Sequence, residues 1–202
     1  MKLRKPSKII VSCLIVLILF YLINKKDSVV VNELDKDKIE DFDIILSKGQ
    51  SVQSKLISLL KLSTKDYSHI GIMIKENNKV FVLHSTPDGT KTNGIRFDNL
   101  QTFIDLSSVS EFIILRHQDL SLIVRQKLKT ELDRFKTIQA PFDYDFNNYE
   151  NQKIYCSELV WLIFNNVGLF KTSDLNLKKT IYPKYFLKIK QFEKVDIKKT
   201  SP

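Results

Sequence analysis

The sequence predicts an α+β domain built on an antiparallel sheet, and three observations lead there. Two β-rich runs, 68–75 and 80–85, flank Glu76-Asn77-Asn78-Lys79, a hairpin signal because asparagine tolerates the positive φ of a tight turn. Val124, Leu128, Leu132, Phe135 and Ile138 recur at helical spacing, and a second helical pattern starts at Cys156. Helices and hairpin-linked strands in this order argue against a purely parallel sheet.

At the amino terminus, Ile9 to Ile23 is an apolar run broken only by Ser12 and Cys13, with Lys2, Arg4, Lys5 and Lys8 before it and Lys25 and Lys26 after. The run is short for a span, but Tyr21 and the flanking lysines can anchor it at the two interfaces. No small-residue cleavage site follows, so residues 1–26 read as an uncleaved signal-anchor or transmembrane segment. The excess of basic residues before the run places the amino terminus in the cytoplasm and the body outside the cytoplasmic membrane. Ile10-Val11-Ser12-Cys13 looks like a lipoprotein box, yet the apolar run follows the cysteine instead of preceding it. Cys13 therefore reads as a membrane-buried small residue. Residues 27–38 are polar and charged and read as a tether, leaving 39–202 as the folded domain.

Within that domain, Phe42 to Leu46 reads as a strand ending at Ser47-Lys48-Gly49, and Val52, Leu56, Leu59 and Leu60 predict a short amphipathic helix over 51–62. The hairpin follows, closed by a second turn at Pro87-Asp88-Gly89. Glu111 to Arg116 reads as a further strand. The helix from Val124 breaks before Pro141, and a helix over 156–167 ends with Gly168 as a left-handed cap. Beyond Pro183, the residues Tyr185, Phe186, Ile189 and Phe192 indicate a turn and a last strand.

Composition narrows the function classes. With 202 residues, 43% hydrophobic and 27% charged, the chain has the make-up of one ordinary domain with a small appendage, and disorder is excluded. The net charge of +9 sits at the ends: residues 1–26 and 178–202 each carry about six positive charges net, so the middle is slightly acidic. A nucleic-acid reader places its positive charge on the folded body, so nucleic acid is not an expected partner. Two cysteines cannot build a disulfide framework, and no fixed-period repeat is visible.

One cysteine and three histidines carry the chemistry. Cys156 opens a predicted helix, where unpaired N–H groups and the helix dipole are expected to favour a thiolate. On the first hairpin strand Ile70, Ile72 and Ile74 share the core face, and His69, Gly71 and Met73 share the other. A two-residue turn pairs Glu76 with Lys79, and a four-residue loop pairs Lys75 with Val80; both place His84 opposite Gly71, on the face of His69. A three-residue loop would put it on the wrong face. Two imidazoles on adjacent strands with a glycine between them are within reach of each other. Cys156 as nucleophile, His69 as its base and His84 as orienter follow the logic of a triad. Tyr67 or Tyr155 could add an oxyanion donor beside the Cys156 backbone N–H. Gly71 reads as space beside the histidines, Glu158 as support for the first helical turn, and Asp143, Tyr144 and Asp145 as a structural loop. His117, at a strand end, is expected to be exposed.

Phe42-Asp43-Ile44-Ile45-Leu46, Gln53-Ser54, Tyr67-Ser68-His69-Ile70-Gly71-Ile72, Tyr144-Asp145 and Tyr155-Cys156-Ser157-Glu158-Leu159-Val160 together resemble the YiiX/YebB-like cysteine hydrolases. These belong to a circularly permuted, papain-like branch of the NlpC-type superfamily, in which histidine precedes cysteine. The resemblance covers roughly residues 40 to 190, about one domain by size. It implies an α+β permuted papain-like fold, Cys156 as nucleophile and His69 as base, with Gln53, Tyr67 and Tyr155 as candidate oxyanion or substrate contacts. It also implies cleavage of an amide or ester through a thioester, with no metal and no cofactor. The third position in many relatives looks like a glutamate; here it is His84, as in acyltransferases of the lecithin:retinol type. The expected substrate is a peptidoglycan-type amide in the cell wall, or else a lipid or other acyl group. Two rival readings are a zinc site on His69, His84 and Cys156 and a membrane-tethered binding module without turnover.

Overall fold

The computed structural model describes residues 34–49, 67–87, 93–107, 109–147, 152–170 and 180–197. Six strands form one antiparallel sheet: β1 (Ile44–Gly49), β2 (His69–Glu76), β3 (Lys79–Thr86), β4 (Gly94–Asn99), β5 (Val109–His117) and β6 (Phe192–Val195), in the spatial order β4-β3-β2-β1-β5-β6. Among the described residues three α-helices accompany it: α1 (Leu100–Ser107), α2 (Leu122–Thr137) and α3 (Cys156–Asn166). The antiparallel α+β architecture agrees with the reading from patterning.

The hairpin turn has two residues. Asn77 (φ 50°) and Asn78 (φ 59°) both take the left-handed conformation, which matches the right-handed twist of the strands they join. The register is Glu76↔Lys79 through Ile72↔Leu83, the pairing expected for that turn.

Apolar residues fill both faces of the sheet. Ile44, Leu46, Ile70, Ile72, Leu83 and Leu115 form one core with α2 and α3. Ile45, Met73, Val80, Val82 and Ile114 form the other with Leu100, Phe103 and Ile104 of α1. The expectation of a single core face is corrected here, because β4 and α1 were not anticipated. Arg96 and Asp98 interrupt the apolar content of the first, and the second is only eight residues long. The tether also ends earlier than expected. Leu34 is buried in the second core, and the Asp35 N–H donates to the Ile197 carbonyl at 2.8 Å, so the chain joins the domain before residue 39.

Beside the sheet centre, Asp43 is buried and receives Arg116 Nε and Nη2, both at 2.8 Å, while Arg116 also reaches Glu40 and the Lys38 carbonyl. This network ties the start of β1 to β5. Helix α3 ends as expected, with Gly168 at φ 81° and its N–H on the Asn165 carbonyl. His117 departs from expectation: it is buried, its ring set edge-on to Phe192 at 5.5 Å, because β6 pairs along that edge of β5. Among the described residues no helix is long and apolar enough to cross a membrane. The apolar run 9–23, the expected helix 51–62 with Gln53, and Asp88-Gly89 lie outside the described residues.

Replacing Asn78 by Val, whose branched side chain resists the left-handed region, should destabilise the domain by about 1–2 kcal/mol. A lowered midpoint in denaturant unfolding, with the slope unchanged, is the expected reading.

Candidate active site

Strand β2 carries the site, and its backbone shows how. Met73 bonds toward β1, its N–H to the Asp43 carbonyl at 2.7 Å and its carbonyl to the Phe42 N–H at 2.9 Å. Backbone groups alternate edges along a strand, so those of Ile70 and Ile72 point toward β3. The β2–β3 ladder stops at Ile72↔Leu83, whereas the β1–β2 ladder continues to Ser47↔His69. The Ile70 N–H therefore faces a place where β3 no longer pairs, and it is one of the backbone N–H groups that favour the ionised form of the nearby Cys156 thiol.

Several bonds hold Cys156 in that place. The Ser85 hydroxyl donates to the Ile154 carbonyl at 2.5 Å, the Ile154 N–H to the Pro141 carbonyl at 2.9 Å, and the Ile181 N–H to the Tyr155 hydroxyl at 2.9 Å. Glu158 is buried and reaches back to the Tyr155 N–H at 3.4 Å, closing the first turn of α3. Burial pushes the Glu158 carboxyl up to about 8, the Tyr155 N–H opposing and Asp143 adding to the rise. Asp143 itself accepts the N–H groups of Asp145 and Asn147, which makes this loop structural, as expected.

The histidines lie together. His69 Nε2 is 2.9 Å from His84 Nδ1, and the rings meet edge-on with centroids 5.1 Å apart. Gly71 makes this possible: a β-carbon there would overlap Val82 Cγ1 and stand 3.0 Å from the Leu83 carbonyl oxygen and 3.2 Å from His84 Cβ. Phe103 of α1 stacks on His69 (5.1 Å, 21°) and stands edge-on to His84 (5.0 Å, 84°). Ser47 and Thr86 lie on the same face, and their buried hydroxyls have no hydrogen-bond partner.

Behind His84 stands a carboxylate that patterning missed. His84 Nε2 is 3.1 Å from Asp98 Oδ2, and Asp98 is gripped by Arg96 through Nε (2.8 Å) and Nη2 (3.1 Å). The available signal was the alternation Ile95-Arg96-Phe97-Asp98, which pairs with β3 as His84↔Arg96 and Val82↔Asp98.

The sulfur belongs to the core under α3 and the imidazoles to the opposite layer. They are linked through the sheet plane, because one N–H that favours the ionised thiol belongs to the residue after His69. Among the described residues no hydrogen bond joins sulfur to imidazole; the sulfur's side-chain partner is the Ser157 hydroxyl at 3.7 Å. The expected thiolate is corrected. Burial pushes the Cys156 thiol up to about 11, outweighing the Ser157 hydroxyl and the N–H groups of Ile70, Ser157 and Cys156. Burial, and then the repulsion that a protonated His84 would exert, hold His69 well below 6.5, so thiol and imidazole both rest neutral. The Tyr67 hydroxyl is engaged by another partner: it donates to Glu111 at 3.2 Å and is pushed up to about 12 by burial and that carboxylate. Tyr155 is buried, its ring 5.5 Å from Phe146 and its hydroxyl engaged by Ile181, a structural post more than a substrate contact.

This fold, with a cysteine opening a helix against a strand that carries histidine, is a papain-like arrangement in permuted order. Residues 38–199 match the family described as permuted papain-like amidase enzyme, YaeF/YiiX, C92 family, and the chain belongs to it. It is 29% identical over 125 residues to the uncharacterized protein YiiX of Escherichia coli K12, a match covering 61% of this chain and 56% of that protein. The chain thus aligns with a little over half the length of this relative. The crystal structure of metalloprotein yiiX from Escherichia coli O157:H7 superposes with a TM-score of 0.62 at 22% identity, covering 80% of this chain and 98% of that one.

The zinc reading does not fit these residues. Among the described residues no group of three His, Cys, Asp or Glu side chains is arranged to hold a metal ion. His69 Nε2 and both nitrogens of His84 are already engaged in the bonds above.

Gly71→Ala should destabilise the domain by about 1–3 kcal/mol, because the added methyl meets backbone and the β-carbon of His84. Thermal unfolding checks it, and a melting temperature equal to wild type would contradict the packing argument.

Proposed function

We propose that the domain hydrolyses an amide through a Cys156 thioester, with His69 as general base. The observation that carries this reading is that Cys156 opens α3, which packs on the strand carrying His69, a histidine whose Nε2 is already held by His84 at 2.9 Å. His69 Nδ1 takes the thiol proton as sulfur attacks the carbonyl carbon. The developing oxyanion is stabilised by N–H groups at the start of α3, where loss of one such donor typically costs about 10²–10³ in rate. The proton passes to the leaving amine, which departs. His69 then deprotonates a water, which attacks the thioester, releases the acid and restores the thiol.

Ile9–Ile23 and its flanking charges support a single-pass anchor with the catalytic domain outside the cytoplasmic membrane. On that location rests a cell-wall substrate, a peptidoglycan-type amide. Histidine rather than glutamate at position 84 favours a second reading, acyl transfer or hydrolysis on a lipid. Incubation of the full chain with purified wall fragments and, separately, phospholipid vesicles, followed by intact mass analysis, distinguishes them. A wall-peptide adduct on Cys156 is expected, lost in Cys156→Ala and His69→Ala with turnover falling at least about 10⁴-fold. A lipid acyl adduct would support the second reading, and turnover surviving in Cys156→Ala would overturn both.

The pH dependence follows from the neutral pair. Protonation of His69 removes its lone pair, so the rate falls only as pH drops through its folded pKa, which lies well below 6.5. The acid limb of kcat/KM should therefore reach half-maximum below pH 6.5, and a midpoint at or above that value would contradict the burial argument.

A further inference from the structure

We infer that Asp98 is a positioning residue that sets the protonation pattern of both imidazoles and thereby leaves His69 Nδ1 as the basic nitrogen. The inference rests on the proposed role of His69 and goes beyond it, because Asp98 touches neither sulfur nor base.

The argument runs outward from β4. Asp98 accepts from Arg96 at both oxygens, 2.8 Å at Oδ2 and 3.1 Å at Oδ1, which keeps it ionised and leaves it an acceptor only. Its contact with His84 Nε2 at 3.1 Å then requires the proton on Nε2. In a neutral imidazole one nitrogen donates and the other accepts, so His84 Nδ1 carries the lone pair. The contact at 2.9 Å next requires a proton on His69 Nε2, and by the same rule His69 Nδ1 is left with its lone pair. One carboxylate thus determines four ring nitrogens. Were His84 a cation, its Nδ1–H would point at His69, His69 would have to accept at Nε2, and the base would be inverted. Two features oppose that outcome. Both rings are buried under Phe103, and Arg96 offsets the charge that would draw a second proton to His84.

The test reads the protons directly. The chain has only three histidines, so a ¹⁵N-histidine-labelled full chain, with His117→Gln for assignment, gives resolved long-range ring correlations. Wild type is expected to show both His69 and His84 protonated at Nε2 and bare at Nδ1. In Asp98→Asn, whose amide can donate and cannot serve Arg96 at two oxygens, the pattern should invert or become mixed at both rings. Turnover should fall about 10²–10⁴-fold, mainly in kcat, the scale on which a wrong histidine tautomer acts. Asp98→Glu should restore the wild-type ring pattern and part of the rate. A wild-type spectrum with the proton on His69 Nδ1 would overturn the inference, as would Asp98→Asn retaining both tautomers. Should Asp98→Asn fail to fold, the wild-type spectrum alone decides. Turnover that survives Cys156→Ala would instead sink the thioester reading and leave the ring pattern standing, so the two failures are distinguishable.

Discussion

The end of the β2–β3 ladder at the Ile72–Leu83 pair, with Gly71 next along β2, is the constraint on which the site depends. A ladder continued two pairs further, to Ile70↔Ser85, would use the Ile70 N–H on β3 and withdraw it from the Cys156 thiol. Instead the ladder ends beside Gly71, whose missing side chain lets β3 come close, and the His84 ring leans onto His69 on that face, while Cys156 packs on the other. The cysteine in one layer and the histidines in the other thus both lie at the end of this ladder, as the proposed function requires.

Burial then decides the electrostatics. A helix amino terminus favours an anion by about 0.3–1 kcal/mol at an exposed position, which is the basis for expecting a thiolate. Cys156 is only 3% exposed, and withdrawing an anion from water costs more than the helix end and its N–H groups return. The same withdrawal lowers His69. Both shifts point toward a neutral pair, so in the proposed mechanism charge appears only when a carbonyl is present to receive the sulfur. The proton transfer then belongs to the attack itself and not to the resting enzyme.

Much of this was legible in the amino-acid order. Asn77-Asn78 specified the turn, the turn specified the register, and the register put His84 beside His69, all from local rules with a period of two. The helix starting at Cys156 was legible from Leu159, Val160 and Ile163. What escaped was the layer behind the histidines. In β4, Arg96 and Asp98 sit between Ile95 and Phe97, and a short strand with two charges reads as a loop. In α1, Leu100, Phe103 and Ile104 do keep helical spacing, but over eight residues that pattern carries little weight. The sign of the Cys156 shift was illegible for a related reason. Spacing shows which face a residue occupies, but its depth depends on what covers it, and both layers were needed to know that.

A histidine at position 84 changes what must stand behind it. A glutamate in its place would put negative charge directly against His69 and raise the affinity of that ring for a proton. A neutral imidazole brings no such charge, but it is ambiguous, because either nitrogen can donate. The ambiguity has to be resolved by a group of fixed sense, and an ionised carboxylate, which can only accept, is the simplest one. Asp98 meets that need from the next strand, and Arg96 keeps it ionised while offsetting its field. The negative charge is thereby moved one ring further from the base, and His69 remains a weak base that stays unprotonated. Histidine at position 84, the acid–base pair on β4 and the depressed affinity of His69 for protons are consequences of one arrangement.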